Sequence, residues 1–323
     1  MPRFVLFRFA SMLFVLFSIS VLVFLIFFAT PGVDPAARIA GREADQQTLR
    51  QVRHDFGLDK PMPVQYVLMM KKLFITRDLT SYVNRGAKVW PQITEAIPVT
   101  LSLILGASVI WILFSVAMGL VAAVSRGTPV DAGVMVLGLI GISMPVFWLG
   151  EMVNLVSQSR FHDTFLFSWV PPLGYVPFTV SPVGWFKALL LPWITLSILY
   201  IGIYARVLRS SLIESQSQDY VRTAHAKGLT GSRVLLRHSL RTSMLAYVSL
   251  FGLDFGALVG GAALLTEVVF NLHGIGWLTY ESLQNFDLPV IMATVMYAAF
   301  FVVAANAVVD LFYAGLDPRV RRA

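Results

Sequence analysis

The chain has 323 residues, of which 57% are hydrophobic and only 13% are charged. A soluble domain of this size carries about 25% charged residues, so most of this chain is expected to face lipid or other membrane helices. Cysteine is absent, which excludes a disulfide framework, a thiolate nucleophile and a cysteine-based metal site. The net charge of +7 is compatible with nucleic acid or with anionic lipid as a partner, and the distribution of the basic residues decides between them.

Six stretches are long and apolar enough to cross a bilayer, which takes about 20 residues of helix. They are residues 9–29, 99–124, 132–157, 186–208, 243–266 and 289–313. The first follows Arg3 and Arg8, as in a signal peptide, but its apolar run is too long for one and lacks a small-residue cleavage site. We therefore predict a retained anchor and an all-α integral membrane protein with six transmembrane helices.

A long segment, residues 31–97, separates the first two predicted spans. Its sequences "DQQTLRQVRHDFGL" and "PVQYVLMMKKLF" are typical of short helices between Pro and Gly breaks. Its basic residues are offset by seven acids, Asp34, Glu43, Asp45, Asp55, Asp59, Asp78 and Glu95. No face of alternating basic and aromatic residues recurs there, so nucleic acid is not expected as a partner.

The positions of Lys and Arg predict the orientation in the membrane. With the N-terminus inside, the cytoplasmic pieces hold 13 of the 25 basic residues, and the short external loops hold only Arg160 and Lys187. Both termini are therefore predicted to be cytoplasmic, and the large loop after the first span to be extracytoplasmic. The predicted organisation is an N-terminal transmembrane helix (1–30), the extracytoplasmic loop (31–97), a transmembrane domain (98–313) with an inner loop (211–242), and a cytoplasmic tail (314–323).

The inner loop between the fourth and fifth spans contains "DYVRTAHAKGLTGSRVLLRHSLR", residues 219–241. Gly228 is expected to end a short amphipathic helix in the left-handed conformation. After Gly231 a helical pattern predicts a basic stripe of Arg233, Arg237 and Arg241 beside an apolar stripe of Leu236, Leu240 and Met244. One interpretation is a loop that sets topology and touches anionic lipid. The other is a docking surface for a protein, since a lipid-binding helix is usually longer and continuous.

The fifth span carries two further signals. Gly252, Gly256 and Gly260 repeat at i, i+4 and i+8, which predicts a flat face for close helix packing. Asp254 points to a different side of the same helix, and a charge at membrane depth usually faces a bundle interior or a watery cavity. Asp254 is therefore predicted to line a passage and attract an ammonium group, or else to make a hydrogen bond between helices or be a protonated acid without a role.

Catalytic and cofactor signals are absent from the sequence. There is no G-x-x-x-x-G-K-[ST] phosphate loop, so the chain is not expected to hydrolyse ATP alone. The histidines show no metal-ligand or haem spacing, and no cofactor is expected in this chain. They are His54, His162, His225, His238 and His273.

"YVRTAHAKGL" followed by "RVLLRHSLR" resembles the cytoplasmic coupling motif of binding-protein-dependent ABC importer permeases, in the branch that carries dipeptides, oligopeptides and nickel. Arg222, Thr223 and Ala224 stand where the general family has Glu-Ala-Ala, and Gly228 supplies the glycine of the motif. The resemblance extends to "GVDPAARIAG", "FGLDKPMPVQY", "ITEAIPVTLSL", "LLTEVVFNLHGIGWL" and "DLFYAGLDPRVR". One departure is "RDLTSY" at 77–82, where relatives usually have a Gly-Asp-Leu-Gly run.

The resemblance implies that the inner loop forms coupling helices that dock on a cytoplasmic ATPase subunit, which would hold ATP and Mg²⁺. The residues that it assigns to this coupling are Asp219, Tyr220, Arg222, Thr223, Ala224, Lys227, Gly228 and Arg233. It places Glu267 at an outer gate and makes the outer loop the receiver of an extracytoplasmic binding protein.

The implied protein is one of two homologous permease chains of a peptide importer, in contact with membrane lipid in the bacterial inner membrane. Nickel chelates, glutathione or another small solute are alternative cargoes. An ion-coupled secondary transporter is a further alternative, but it predicts ionisable residues deep in several spans and broken helices in paired halves.

Overall fold

The computed structural model describes residues 2–28, 36, 46–55, 57–84, 86–159 and 161–316. Within these residues the chain is helical and has no β-strand, only an isolated bridge between Thr80 and Lys88. The helices are α1 (Pro2–Phe28), α2 (Gln46–Asp55), α3 (Met62–Met70), α4 (Val89–Val124), α5 (Pro129–Ser143), α6 (Val146–Gln158), α7 (Pro182–Gln216), α8 (Asp219–Ala226), α9 (Gly231–Val234), α10 (Leu240–Ala257), α11 (Leu264–Val269), α12 (Ile275–Asn285) and α13 (Leu288–Leu316). Three π-helical turns, Lys71–Thr76, Leu235–Ser239 and Leu258–Ala262, continue α3, α9 and α10.

Five helical stretches are long and apolar enough to cross a membrane. They are Phe9–Ile26, Val89–Val124, Pro182–Gln216, Gly231–Ala262 and Leu288–Val308. The pair formed by α5 and α6 gives a sixth if it is taken as one span, but the two helices are bent by 93°. The all-helical membrane class predicted from the sequence is therefore confirmed.

The third predicted span, over 132–157, is not one continuous helix. The helix stops at Ser143, and Met144 is extended, with φ −95° and ψ 126°. Pro145 explains the break, because a proline ring excludes the preceding residue from the helical conformation.

The fifth span, predicted as one helix over 243–266, is also interrupted. The backbone becomes π-helical at Leu258, and Gly261 has φ 110°, outside the helical region. The regular four-residue repeat of the span's glycines therefore ends at Gly256, before Gly260. A Cβ atom on Gly260 would lie 2.5 Å from the Cγ2 atom of Val302, so this glycine allows close packing on α13.

The structure divides into two compact units, the first of which comprises residues 1–100, 259–264 and 273–323. Its apolar core joins α1, α3, the first turns of α4, α12 and α13. Two polar contacts fasten these helices: the Ser20 and Tyr66 hydroxyls lie 2.6 Å apart, and the Ile275 N–H donates to Thr100 Oγ1 at 2.8 Å.

The "RDLTSY" segment, where the sequence departs from its resemblance, is organised around the buried carboxylate of Asp287. The Ser81 hydroxyl and the Tyr82 N–H both donate to this carboxylate, the second at 3.1 Å. Ser81 Oγ also accepts the N–H groups of Val83 and Asn84, at 3.2 and 2.9 Å, which closes the turn. Burial raises the pKa of the Tyr82 phenol, and the nearby Asp287 raises it further.

The second unit comprises residues 101–258 and 265–272 and is built on α4, α7 and α10. Trp193 on α7 donates its Nε1–H to the Ser102 carbonyl at 2.9 Å. Helices α5 and α7 meet at a pair of glycines, because a Cβ atom on Gly202 would lie 2.3 Å from the Gly138 carbonyl oxygen. This close approach brings α5 against the helix that leads directly into residues 219–239.

Candidate functional site

Residues 219–239 form a pair of short helices that follows α7, which we call the helix pair. Val221 and Ala224 on α8 are buried against Val234 on α9, with Leu229 packed at the edge of this small cluster. Val221 and Ala224 share this face because residues three apart lie on the same side of a helix. Ala224 therefore belongs to the core of the helix pair rather than to its exposed surface.

Gly228 ends α8 with the hydrogen-bond pattern of a Schellman motif. The Gly228 N–H donates to the His225 carbonyl at 2.9 Å, and the Leu229 N–H donates to the Ala224 carbonyl at 3.3 Å. Gly228 has φ +79°, and a Cβ atom placed on it would meet nothing within 4 Å. The expected left-handed helix end is confirmed, and the need for glycine is a backbone requirement, not a lack of space.

The second piece of the helix pair departs from the sequence expectation. Leu235–Ser239 is a π-helical turn, which rotates the side chains that follow it relative to an α-helix. Leu236, predicted on an apolar stripe, is 57% exposed, whereas Val234 is buried. The π-helical turn interrupts the α-helical spacing from which the stripe of Leu236, Leu240 and Met244 was predicted.

The helix pair is tied to the end of α7 through Ser215. The buried Ser215 Oγ atom lies within hydrogen-bond distance of the Tyr220 hydroxyl, and it donates to the Ser239 carbonyl at 3.4 Å. Ser215 thus bridges both pieces of the helix pair to the long helix that precedes them.

The outer surface of the helix pair is basic and carries two apolar side chains. Arg222, Thr223, Lys227 and Arg233 are exposed. The Asp219–Arg222 ion pair, with 3.6 Å between Arg222 Nη1 and Asp219 Oδ1, is also exposed, so it adds little stability. Tyr220 and Leu236 are 40% and 57% exposed beside these charges. This combination suits contact with a protein surface, because an aromatic or aliphatic anchor with a charged rim is typical of protein interfaces.

A partly buried ion pair, which the sequence did not predict, lies between the start of α5 and the later part of α7. Arg209 donates from Nε and Nη2 to the two carboxylate oxygens of Asp131, both at 2.6 Å. The Gly127 N–H adds a third donor at 3.0 Å, and the Thr128 side chain caps α5 by accepting from the Asp131 N–H. The "TPVD" run offered a helix-start signal, since a Thr N-cap and a Pro at the first helical position are typical of helix N-termini. Nothing in the sequence indicated the arginine partner.

Asp254 on α10 accepts a hydrogen bond from the Tyr204 hydroxyl on α7 at 2.8 Å. The Tyr204 ring packs edge-on against Tyr247 at 4.9 Å, and Trp111 stacks on Tyr200 at 4.6 Å. The hydrogen bond between helices is therefore present. Asp254 itself is only half-buried, so a second polar partner can still reach its carboxylate. The passage role of Asp254 stays a prediction.

Glu267 on α11 is completely buried, with 0% of its surface exposed. Its backbone carbonyl accepts from the Leu272 N–H at 2.8 Å, and the nearby Val269 carbonyl accepts from the Asn154 side chain at 2.8 Å. The outer-gate role of Glu267 stays a prediction.

The packing role of Gly252 and Gly256 also stays a prediction. Gly256 is buried and Gly252 is half-buried.

Taken together, these features define a helical protein embedded in a membrane, with an exposed basic helix pair held at the end of one long helix. In the part of the chain that the structure describes, no group of three or more His, Asp and Glu side chains could hold a metal ion.

Comparison with known proteins identifies the family. Residues 115–322 match the family model described as "Binding-protein-dependent transport system inner membrane component", and residues 1–104 match the model for the N-terminal part of such membrane components. The chain therefore belongs to this family of transport permease subunits, as the resemblance implied.

Three relatives match over essentially the whole chain. A protein of Brucella abortus (strain 2308) named as a peptide transport system permease is 38% identical over 321 residues, which are 99% of both chains. A protein of Sinorhizobium fredii named as a peptide ABC transporter permease is 33% identical over 323 residues, 99% of this chain and 100% of the relative. A glutathione transport system permease of Salmonella typhi is 38% identical over 322 residues, 99% of both chains.

Proposed function

We propose that this chain is a membrane-spanning subunit of an ATP-driven ABC importer that takes up short peptides delivered by an extracytoplasmic binding protein. The similarity to peptide permeases over 99% of the chain supports this cargo. In this proposal the chain crosses the bacterial inner membrane six times, with both termini cytoplasmic and residues 31–97 outside. A second homologous permease completes the passage, and separate ATPase subunits bind ATP and Mg²⁺.

The helix pair is the surface through which the chain receives energy. Asp219, Tyr220, Arg222, Thr223, Lys227 and Arg233 form the face that contacts the ATPase, while Ala224 and Gly228 fix the shape of that face. The observation that supports this role most strongly is the Schellman motif at Gly228. It fixes the two short helices of the helix pair in one exposed arrangement. A loop that served only to carry positive charge would not need such a fixed shape.

Movement of the helix pair reaches the membrane spans through α7. Ser215 fastens both pieces to the end of α7, and the Asp131–Arg209 ion pair fastens α7 to the start of α5. A displacement driven by ATPase closure would therefore shift α5 and α7 together, in the manner of rigid elements that switch between two arrangements. Asp254 and Glu267 lie in α10 and α11, and we assign them to the passage and its outer gate.

Glutathione is a second candidate cargo, favoured by the 38% identity to a glutathione permease over 99% of both chains. Glutathione and ordinary short peptides both carry a free ammonium group, so the half-buried Asp254 suits either one. Competition between labelled dipeptide and excess glutathione during uptake by the complete transporter separates the two cargoes.

A matched pair of glycine variants tests the proposed function. Gly228→Val places a β-branched residue at φ +79°, whereas Gly231→Ala adds a methyl group in open space at a glycine without a positive φ. In proteoliposomes with the partner permease, the ATPases and the binding protein, Gly228→Val should insert normally and abolish stimulated ATP hydrolysis and uptake. Gly231→Ala should leave both intact. Normal transport by Gly228→Val, or uptake by the chain alone on an ion gradient, would contradict the proposal.

A further inference from the structure

Arg77 adopts a backbone conformation that is unusual for its residue type. It follows the π-helical turn Lys71–Thr76 and has φ 54° and ψ 30°, in the left-handed region. Residues with a Cβ atom rarely occupy this region, whereas glycine does so freely. The strained arginine therefore suggests that its side chain has a use, since strain of this kind concentrates at functional sites.

The Arg77 side chain is held in place by an aromatic ring. Its guanidinium carbon lies 4.8 Å from the centre of the Trp90 ring, within the range of a cation–π interaction. None of the ion pairs found between described residues involves Arg77. The carboxylate of the adjacent Asp78 is engaged by the Thr76 hydroxyl, which lowers the pKa of Asp78. Arg77 thus presents an oriented positive charge to an anion from outside the chain.

Trp90 also lines an apolar groove of about 290 Å³ in the same unit. The floor of the groove is buried and the rim is exposed: the floor includes Leu73, Val89, Ile93, Ala293 and Met296, and the rim includes Phe74, Trp90 and Phe300. Its walls come from α1, the turn after α3, α4 and α13. Three of these walls belong to candidate membrane spans, so the groove is expected to lie against lipid.

The dimensions of the groove favour a narrow, extended ligand. Along α4 it extends from Val89 to Ile97, which is about 12 Å at 1.5 Å per residue. A helix from another protein is about 10–12 Å across with its side chains, so a helix of this length needs far more room than a single hydrocarbon chain does. An extended hydrocarbon chain is narrow enough, and it restores the dispersion contacts that an unfilled apolar groove lacks.

We propose that this groove binds one acyl chain of an anionic phospholipid, whose phosphate group pairs with the Arg77 guanidinium. Trp90 connects the two halves of the site, because it supports the cation on its ring and forms part of the rim of the groove. The site does not depend on the cargo or on ATPase docking, so its test is separate from that of the proposed function.

Native mass spectrometry of the full-length chain, titrated with dioleoyl phosphatidylglycerol or dioleoyl phosphatidylethanolamine, tests the site. The first lipid bound should favour the glycerol headgroup by about fivefold, the contribution of one basic residue near an anionic lipid surface. Arg77→Gly should remove this preference while keeping the first lipid, and glycine also relieves the backbone strain. Ala293→Leu, which narrows the floor, should weaken the first binding step for both lipids.

Lys187→Gln is the matched control, since it removes one exposed positive charge elsewhere and should change neither result. Retention of the headgroup preference in Arg77→Gly would overturn the assignment of the phosphate site. An unchanged affinity of Ala293→Leu for the first lipid would overturn the assignment of the groove. Displacement of the lipid by inorganic phosphate would overturn it as well. Equal binding of both lipids to the unmodified chain would indicate a nonspecific lipid layer and would also overturn the proposal.

Discussion

Several helix ends in this chain turn through a left-handed residue, and those at Gly228 and Arg77 meet that requirement in opposite ways. Gly228 closes α8 without strain and leaves open space around its Cα atom. Arg77 closes the turn after α3 with φ 54° and places its guanidinium over Trp90. Glycine at position 228 is explained by backbone conformation alone. At position 77 the backbone is strained, and the arginine side chain is retained despite that strain. The difference separates a residue that shapes a docking surface from one that presents a charge.

Each of the two units also contains a buried aspartate that joins separate elements. Asp131 pairs with Arg209 on the helix that leads into the helix pair, and Asp287 accepts hydrogen bonds from Ser81 and Tyr82 in the segment after Arg77. These carboxylates are 5% and 4% exposed, so each should be costly to remove. Substitutions at Asp131, Asp287, Gly228 and Arg77 are expected to change stability by amounts that decrease in that order.

Asp131→Ala should have the largest effect on stability. It leaves the partly buried Arg209 guanidinium without its carboxylate, which lowers the free energy of unfolding. Thermal unfolding of the purified chain in detergent measures this loss. The double variant with Asp131→Arg and Arg209→Asp should recover part of it, and additive losses in the double variant would contradict a direct pairing.

Asp287→Ala should destabilise the first unit by about 2 kcal/mol, because the Ser81 hydroxyl and the Tyr82 N–H lose their acceptor. The same unfolding measurement applies, with proteolysis near residue 82 as a local probe. Asp163→Ala, at an exposed acid, is the control and should change stability by less than about 0.5 kcal/mol. Equal effects of the two variants would show that Asp287 does not organise the turn.

Gly228→Ala should cost about 1 kcal/mol, the penalty for a Cβ atom in the left-handed conformation. The strain falls on the helix pair, so stimulated ATPase activity of the complete transporter should fall more than its unfolding temperature does. A variant that loses stability but keeps full stimulation would remove the functional distinction between Gly228 and a simple helix end.

Arg77→Gly should have the smallest effect and the opposite sign. Relief of the left-handed strain is partly offset by the greater freedom of glycine in the unfolded chain, which leaves a gain of about 0.5 kcal/mol. Unfolding should be compared in lipid-free detergent, where no headgroup is available to Arg77. A clear loss of stability there would mean that the contact with Trp90 outweighs the strain.

The sequence predicted those features that depend on nearby residues. Hydrophobic length located the helices that cross the membrane, and Gly228 predicted the end of α8 because glycine favours the left-handed conformation. The bend at Met144 also had a local cause in Pro145, but the apolar run around it made one straight span the simpler expectation. The π-helical turn at Leu235–Ser239 has no comparable signal, so α-helical spacing did not predict this change of register.

Features that join distant parts of the chain could not be predicted in the same way. Asp131 and Arg209 each had an ordinary local explanation, a helix start and a basic inner segment, and only the fold shows that they pair. The contact of Arg77 with Trp90 is similar, since the sequence showed a departure from the family run but not what the arginine would touch. Residues that are far apart in the sequence come into contact only because their helices pack together. The hydrophobic pattern of the sequence does not specify which helices pack or in which register.

Cross-linking from the helix pair tests the central claim most directly. The chain contains no cysteine, so a single introduced thiol gives an unambiguous signal. Thr223→Cys, at an exposed position on α8, should cross-link to an ATPase subunit in the assembled transporter, with a yield that changes when nucleotide binds. Ser159→Cys, at an exposed position on the side predicted to be extracytoplasmic, should not. No cross-link at position 223, or equal cross-links at both positions, would contradict energy transfer through the helix pair.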